Sequence, residues 1–210
     1  MKIAVFGGSG KTGQVLIEKA LQRGHQVLAL ARNPKKIALS DANLETRELQ
    51  LDDQQAIELA IAECEAVISV LGPVDKNDKS KPVSRGVTHI IAAMKKAGIK
   101  RYIQVATPSS VDVRDGFSLS IKLQRLLIRT IANYAFNDIT TYGDLVRSSG
   151  LDWTLVRVPW LKDEKEKTVK VGYVGEGIVG STLTRESMVA FMLNALEQGN
   201  YIGEAPAISN

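Results

Sequence analysis

Short apolar runs alternate with segments of helical spacing along the whole chain. Lys2–Phe6, Gln26–Ala31, Leu44–Leu49, Glu65–Leu71, Tyr102–Ala106 and Trp153–Val158 read as six strands, the second unbroken in its apolar character after its first residue. Between them, Thr12–Arg23 places Gly13, Ile17, Ala20 and Gly24 on one helical face, and Gln54–Cys64 is helical. Val87, Ile90, Ile91, Met94 and Ala97 recur at i, i+3, i+4, i+7 and i+10, an amphipathic helix closed by Gly98. Ser118–Ala132 and Ile139–Ser148 also read as helices, and Met188, Met192, Ala195 and Leu196 mark a last one.

Strands alternating with helices predict βαβ units, so the expected fold is α/β: a doubly wound parallel sheet, Rossmann-like, with helices on both faces. A length of 210 residues suits a single domain, 1–210. Two segments break the alternation: the polar stretch Pro73–Pro82, and Lys162–Gly180, a charge cluster followed by the strand-like Val169, Val171, Tyr173 and Val174. Each follows a strand, and open α/β sheets bind ligands outside the carboxyl ends of their strands. The expected substrate-side segments lie near 107–118 and 160–180.

The glycine-rich turn between the first strand and first helix carries the strongest local signal. Its substring Gly10-Lys11-Thr12 resembles the end of a nucleotide-triphosphate loop, G-x-x-x-x-G-K-[ST], but the first glycine of that motif would fall on Val5, inside the strand. The spacing that fits is Gly7-x-x-Gly10-x-x-Gly13. In a dinucleotide turn the first glycine permits the tight bend, the second lets backbone approach a pyrophosphate, and the third lets the helix pack closely on the sheet. Gly7, Gly10, Lys11, Thr12 and Gly13 are therefore candidate cofactor contacts, with the helix N-terminus facing the phosphates. At the end of the second strand, where an acid would bind a ribose 2′-hydroxyl, stands Arg32, followed by Asn33, Pro34, Lys35 and Lys36. A guanidinium there suits a 2′-phosphate, which makes NADP the expected cofactor.

Composition narrows the alternatives. Lys plus Arg is 27 against 23 Asp plus Glu, a net charge of +4, with basic residues scattered and aromatics at 5%; no basic stripe for nucleic acid is visible. His25 and His89 are far apart, lack ligand-spaced partners and are expected on a surface or helix face, so no metal is expected. The lone cysteine, Cys64, is expected to be a small core hydrophobe and suits a reducing compartment. No apolar run is long enough to span a bilayer, and Met1–Phe6 is too short for a signal segment. The expectation is a soluble, cytoplasmic protein with no membrane partner, able to form a homo-oligomer.

Several segments together resemble the atypical short-chain dehydrogenase/reductase family, of the NmrA-like and biliverdin reductase B–flavin reductase type, over nearly the whole chain. They are the Gly7–Gly13 loop, Ala31-Arg32-Asn33-Pro34, Asp52, Val70-Leu71-Gly72, Gly98-Ile99-Lys100-Arg101-Tyr102, and Ser149-Gly150-Leu151-Asp152-Trp153-Thr154-Leu155-Val156-Arg157. The resemblance implies that Arg32 binds the 2′-phosphate, Asp52 faces the adenine amino group, Leu71 and Gly72 border the nicotinamide-side ribose, and Pro159 lies near the nicotinamide. The family's catalytic serine aligns with Thr107, with Ser109 and Ser110 as neighbouring hydroxyls.

One departure matters. Typical members use Tyr-x-x-x-Lys, the lysine lowering the tyrosine pKa. The nearest spacing here is Tyr134-Ala135-Phe136-Asn137-Asp138, with an acid in the lysine position, and Ile139, Thr140 and Thr141 stand where relatives often carry lysine. Tyr134 and Tyr142 are expected to be packing residues. The expected function is an NADPH-dependent reductase passing hydride to a small conjugated acceptor such as a flavin, quinone or tetrapyrrole, whose proton comes from water. The rival is an NADP-binding sensor without turnover. A sugar-nucleotide epimerase would need the Tyr/Lys pair and a larger substrate domain.

Overall fold

Strands buried on both faces need side chains that are apolar at successive positions, not alternate ones. Lys2–Phe6 (β1), Gln26–Ala31 (β2) and Ala66–Ser69 (β4) meet that condition and lie side by side in the interior of an eight-stranded sheet. In this computed structural model the described residues are 1–117 and 119–210, with all of their side chains except those of Ser120 and Gln124. The remaining strands are Leu44–Glu48 (β3), Arg101–Ala106 (β5), Asp152–Arg157 (β6), Trp160–Lys162 (β7), Lys170–Gly172 (β8), Thr182–Thr184 (β9) and Ala207–Ser209 (β10). The helices are Lys11–Gln22 (α1), Gln54–Ile61 (α2), Pro82–Ala97 (α3), Leu119–Ile131 (α4), Asn133–Arg147 (α5) and Arg185–Glu197 (α6).

The sheet order is β3-β2-β1-β4-β5-β6-β10-β8, parallel throughout except for the antiparallel pair β10/β8. Chain order reverses between β1 and β4, so the first two crossovers run to one side and the later ones to the other. That reversal opens a crevice at the carboxyl edge, the binding position in such sheets. Two apolar cores flank the sheet. One joins Leu16 and Ile17 of α1 to Met188, Met192 and Leu193 of α6. The other gathers Ile57 of α2, Val87 and Ile90 of α3, and Tyr142 and Val146 of α5.

The α/β doubly wound reading therefore holds, and its six strands are β1 to β6. The structure adds β7, β9 and β10, each three residues long and too short to leave a periodic signature. It starts α3 at Pro82, inside the segment read as a loop, and starts α5 at Asn133, six residues before the expected Ile139. The expected helix start at Ser118 lies outside the described residues. Gly24 ends α1 instead of continuing its face, with φ of 80°. His25 is not a surface residue: its ring is buried, and Nε2 lies 2.8 Å from Glu197 Oε1 at the end of α6. His89 does sit on a helix face, its Nδ1 2.7 Å from the Leu51 carbonyl oxygen. Cys64 packs in the second core, and burial pushes its thiol up to about 11, so it stays protonated and unreactive near neutrality. None of the described helices is long and apolar enough to cross a membrane.

Candidate functional site

The glycine loop opens the crevice. Gly7 has φ of 85°, in the left-handed region that side chains disfavour, and its carbonyl accepts from the Gly10 N–H at 3.1 Å. A Cβ on Gly13 would lie 2.2 Å from the Gly7 oxygen and 2.7 Å from the Gly8 Cα, so α1 can pack against this turn only with hydrogen there. Gly10 is the N-cap of α1 and supplies no capping side chain. The N–H groups of Lys11, Thr12 and Gly13 are then left for a ligand, at the positive end of the helix dipole. A Cβ on Gly10 would meet only the Gly7 oxygen, at 3.4 Å, and otherwise open space. This is the cradle a pyrophosphate requires.

The Lys11 side chain is used elsewhere. Its ammonium is 3.1 Å from Asp163, in the segment after β7, and the other oxygen of Asp163 is 2.9 Å from Arg185 Nη1. Lys19 and Glu166 pair similarly at 2.9 Å, so this charged stretch runs along α1 from Lys11 to Lys19. Lys11 therefore offers the loop its backbone N–H, while its charge is shared with Asp163.

Arg32 leaves the end of β2 exposed, and among the described residues its side chain has neither hydrogen bond nor ion pair. The following Pro34–Lys36 turn is capped by Asn33, which accepts from the Lys35 N–H at 3.2 Å. Asp52 is exposed in the turn before α2; its neighbour Asp53 is the residue that caps the helix. Leu71 and Gly72 follow β4, across the crevice from the glycine loop. A buried chain beneath them fixes that turn. Tyr102 Oη donates to Gln104 Oε1 at 2.7 Å, and Gln104 Nε2 donates to the Leu71 carbonyl at 3.2 Å. Sequence reading missed Gln104; a polar residue inside the apolar run Tyr102–Ala106 was the available signal.

Further along the same edge, beyond β5 and β6, lies a cavity of about 630 Å³. Its walls are apolar, from Ile121, Ile128, Phe136, Ile139, Val158 and Val179. Thr107, Pro108 and Pro159 line it at the strand ends, together with Arg125 and Arg157. Thr107 Oγ1 accepts from the Ser109 N–H at 3.3 Å, leaving its own proton to donate. Ser110 is not an equivalent substitute: its hydroxyl is buried and accepts from Arg147 Nη1 at 3.0 Å.

Arg157 anchors the cavity. It is fully buried and forms a fork on Asp115, Nη1 and Nη2 each 2.7 Å from a carboxylate oxygen, while Nε donates to the Ala205 carbonyl at 2.8 Å. The same carboxylate accepts from the Asp112 N–H at 2.9 Å and the Val174 N–H at 3.1 Å. One ion pair thus ties the loop after β5 and the loop after β8 to the end of β6. Nearby, Tyr173 Oη donates to Glu204 at 3.0 Å, and burial pushes its phenol up to about 12.

The acid in the lysine position has a structural task. Asp138 is buried and accepts from the N–H groups of Val83 at 3.2 Å and Ser84 at 2.8 Å, capping α3 from α5. Lys81, which precedes the helix, provides no side-chain cap of its own. Tyr142 is fully buried, and desolvation holds its phenol well above the usual range. Tyr134 is half-buried, with the Lys79 ammonium 5.5 Å from its ring centre. Neither tyrosine lines the cavity.

The model of the NAD(P)H-binding family matches residues 7–199. Among curated relatives, the chain is 29% identical over 127 residues to a dihydroflavonol 4-reductase of Solanum lycopersicum, covering 53% of this chain and 34% of that one. It is 33% identical over 117 residues to a 2-alkyl-3-oxoalkanoate reductase of Stenotrophomonas maltophilia, covering 52% and 34%. The chain thus spans well under half the length of these relatives. Among solved structures, the oxidoreductase ylbE of Lactococcus lactis aligns with a TM-score of 0.80 at 18% identity, covering 100% of this chain and 91% of that one. A short-chain dehydrogenase/reductase of Veillonella parvula, solved in complex with NADP, aligns at 0.77 and 16%, covering 100% and 94%. At these identities the likeness is one of fold.

Proposed function

Because the chain belongs to the NAD(P)H-binding family, we propose that it is an NADPH-dependent reductase whose acceptor is a small aromatic or conjugated molecule, of flavin, quinone or tetrapyrrole type. The apolar cavity that begins at Thr107 and Pro159 carries this reading. Strands β1, β4, β5 and β6 are neighbours, so the phosphate cradle and the cavity open on one edge of one sheet. A nicotinamide cofactor supplies the hydride when bound. The chain's own part is to hold and orient. Gly7, Gly10 and the N–H groups of Lys11, Thr12 and Gly13 take the pyrophosphate, and Arg32 takes the 2′-phosphate. Asp52 faces the adenine, and Leu71 and Gly72 border the second ribose. Pro159 and the apolar walls exclude water around the two rings, and Thr107 donates a hydrogen bond into the cavity.

The buried, helix-capping Asp138 supports an acceptor that takes its proton from solvent, because no lysine stands there to activate a tyrosine. The same observation favours the second reading, an NADP-binding sensor without turnover. Two measurements test these assignments. A charge-assisted hydrogen bond contributes about 1.5–3 kcal/mol, so NADPH should bind about tenfold or more tighter than NADH. Arg32→Ala should remove most of that preference and barely change NADH affinity. Equal losses for both cofactors would make Arg32 a structural residue.

The second measurement follows NADPH oxidation with a panel of flavins, quinones and tetrapyrroles. Thr107→Val keeps the shape and deletes the donor, and should slow turnover about tenfold to a hundredfold, less than an essential acid or base. Tyr134→Phe should change the rate only a few-fold. A large loss in Tyr134→Phe alone would return the tyrosine to the chemistry. Tight NADPH binding without turnover on any acceptor would move the conclusion to the sensor.

A further inference from the structure

Helix α4 has two apolar faces, and only one is covered. Ile121, Arg125 and Ile128 line the cavity, Ile128 remaining 40% exposed. A second stripe faces outward: Leu119, Leu123, Leu126, Leu127 and Ile131 are 73%, 67%, 57%, 58% and 62% exposed. These positions run i, i+4, i+7, i+8, i+12, one continuous side of a helix. Large side chains left in water on one side of one helix are unusual, since exposed apolar residues are normally scattered singly. Phe117, just before the helix, is 78% exposed as well.

The charges around the stripe are of one sign. From Gly116 to Asn137 the sequence contains Lys122, Arg125 and Arg129 and not one acid. Lys122 and Arg129, seven residues apart, lie along the border of the stripe and are exposed. The Lys122 ammonium sits 4.3 Å from the Phe117 ring centre, and among the described residues neither Lys122 nor Arg129 has an acidic partner. A second copy of the chain meeting this face across a two-fold axis would bring like charges together with nothing to neutralise them. An apolar stripe edged by bases, without acids and with an exposed phenylalanine at its start, is the pattern of a helix that lies in the plane of an anionic bilayer.

We propose that α4 docks this protein peripherally on an anionic lipid surface, its leucine stripe entering the headgroup–acyl boundary and Lys122 and Arg129 meeting the lipid phosphates. Nothing spans the bilayer: the helix is too short and lies flat, with its other face on the protein. The inference is independent of the acceptor and of turnover.

The test is co-sedimentation of the full chain with vesicles of phosphatidylcholine alone and of phosphatidylcholine with phosphatidylglycerol. Binding should appear with the anionic vesicles, fall steeply between low and high salt, and be much weaker on the neutral ones. Lys122→Glu/Arg129→Glu should lower partitioning about tenfold or more, and Leu123→Asp/Leu127→Asp should abolish it. All four side chains are exposed, so both variants should keep the wild-type melting temperature and NADPH affinity. No association of the folded protein with anionic vesicles would overturn the proposal, as would equal binding to neutral vesicles. So would a dimer that Leu123→Asp/Leu127→Asp converts to monomer, which would assign the stripe to a second copy.

Discussion

Asp115→Ala should lower the melting temperature by about 6–20 °C. Removing one partner of a buried ion pair costs about 3–5 kcal/mol, because the other charge is left uncompensated, and 1 kcal/mol is about 2–4 °C for a domain of this size. Arg157 is fully buried, and Asp115 is its only carboxylate partner among the described residues. The loss also frees two backbone N–H groups, those of Asp112 and Val174, which unpins both loops at the cavity. Turnover should therefore fall further than NADPH affinity, since the glycine cradle lies two strands away. Arg157→Met should be similarly harmful. The double variant Asp115→Leu/Arg157→Met should lose less than either single change, because it leaves no orphaned charge. Thermal unfolding of the four proteins checks this; single variants as stable as wild type would show that water reaches the pair.

Gly13→Ala should weaken NADPH binding by about fivefold to a hundredfold. The new Cβ would stand 2.2 Å from a backbone oxygen, so the turn must move away from α1 instead of a side chain yielding. Overpacking of this kind costs about 1–3 kcal/mol or more, and each 1.4 kcal/mol is tenfold. The displacement falls on the N–H groups proposed to hold the pyrophosphate, so affinity and stability should drop together. Gly10→Ala is the contrasting case: its Cβ has room in the free protein, so the melting temperature should hold while affinity falls. Titration of both variants with NADPH, alongside their melting curves, separates packing from ligand approach. Unchanged affinity in Gly13→Ala would remove the loop from the cofactor site.

The glycine-loop half of the candidate site was legible in sequence, for physical reasons. Parallel strands covered on both faces must be apolar throughout, which makes β1, β2 and β4 conspicuous. The glycine loop is local, so its spacing alone encodes the tight turn at Gly7 and the close packing at Gly13. The cavity half was hidden because its elements are short and its contacts distant. Strands of three residues carry no period, and β10 pairs with β6 fifty residues earlier in the chain. The Arg157–Asp115 pair joins a strand to a loop, and no spacing rule links them. One clue stood in the open: an arginine between Val156 and Val158, inside an apolar run, has to find a buried partner. Asp138 shows the opposite limit. Its position marked the loss of the Tyr/Lys pair but said nothing of its own task, because its partners at the start of α3 lie some fifty residues away in the chain.

The strands beside the cavity also set an order of assembly during synthesis. Ala207–Ser209 inserts between β6 and β8, the Asn210 N–H donates to Thr182, and its side chain accepts from the Thr184 N–H and donates to Ser187. These residues leave the ribosome after everything they join. A nascent chain can complete β1 to β5 and their crossovers while still tethered, and so present the glycine loop early. The cavity side must wait: β8 has no neighbour in the sheet until β10 arrives, and Ala207 is missing from the cavity wall until then. A stalled or shortened chain ending before Ala207 would carry the glycine loop beside an open, unfinished pocket.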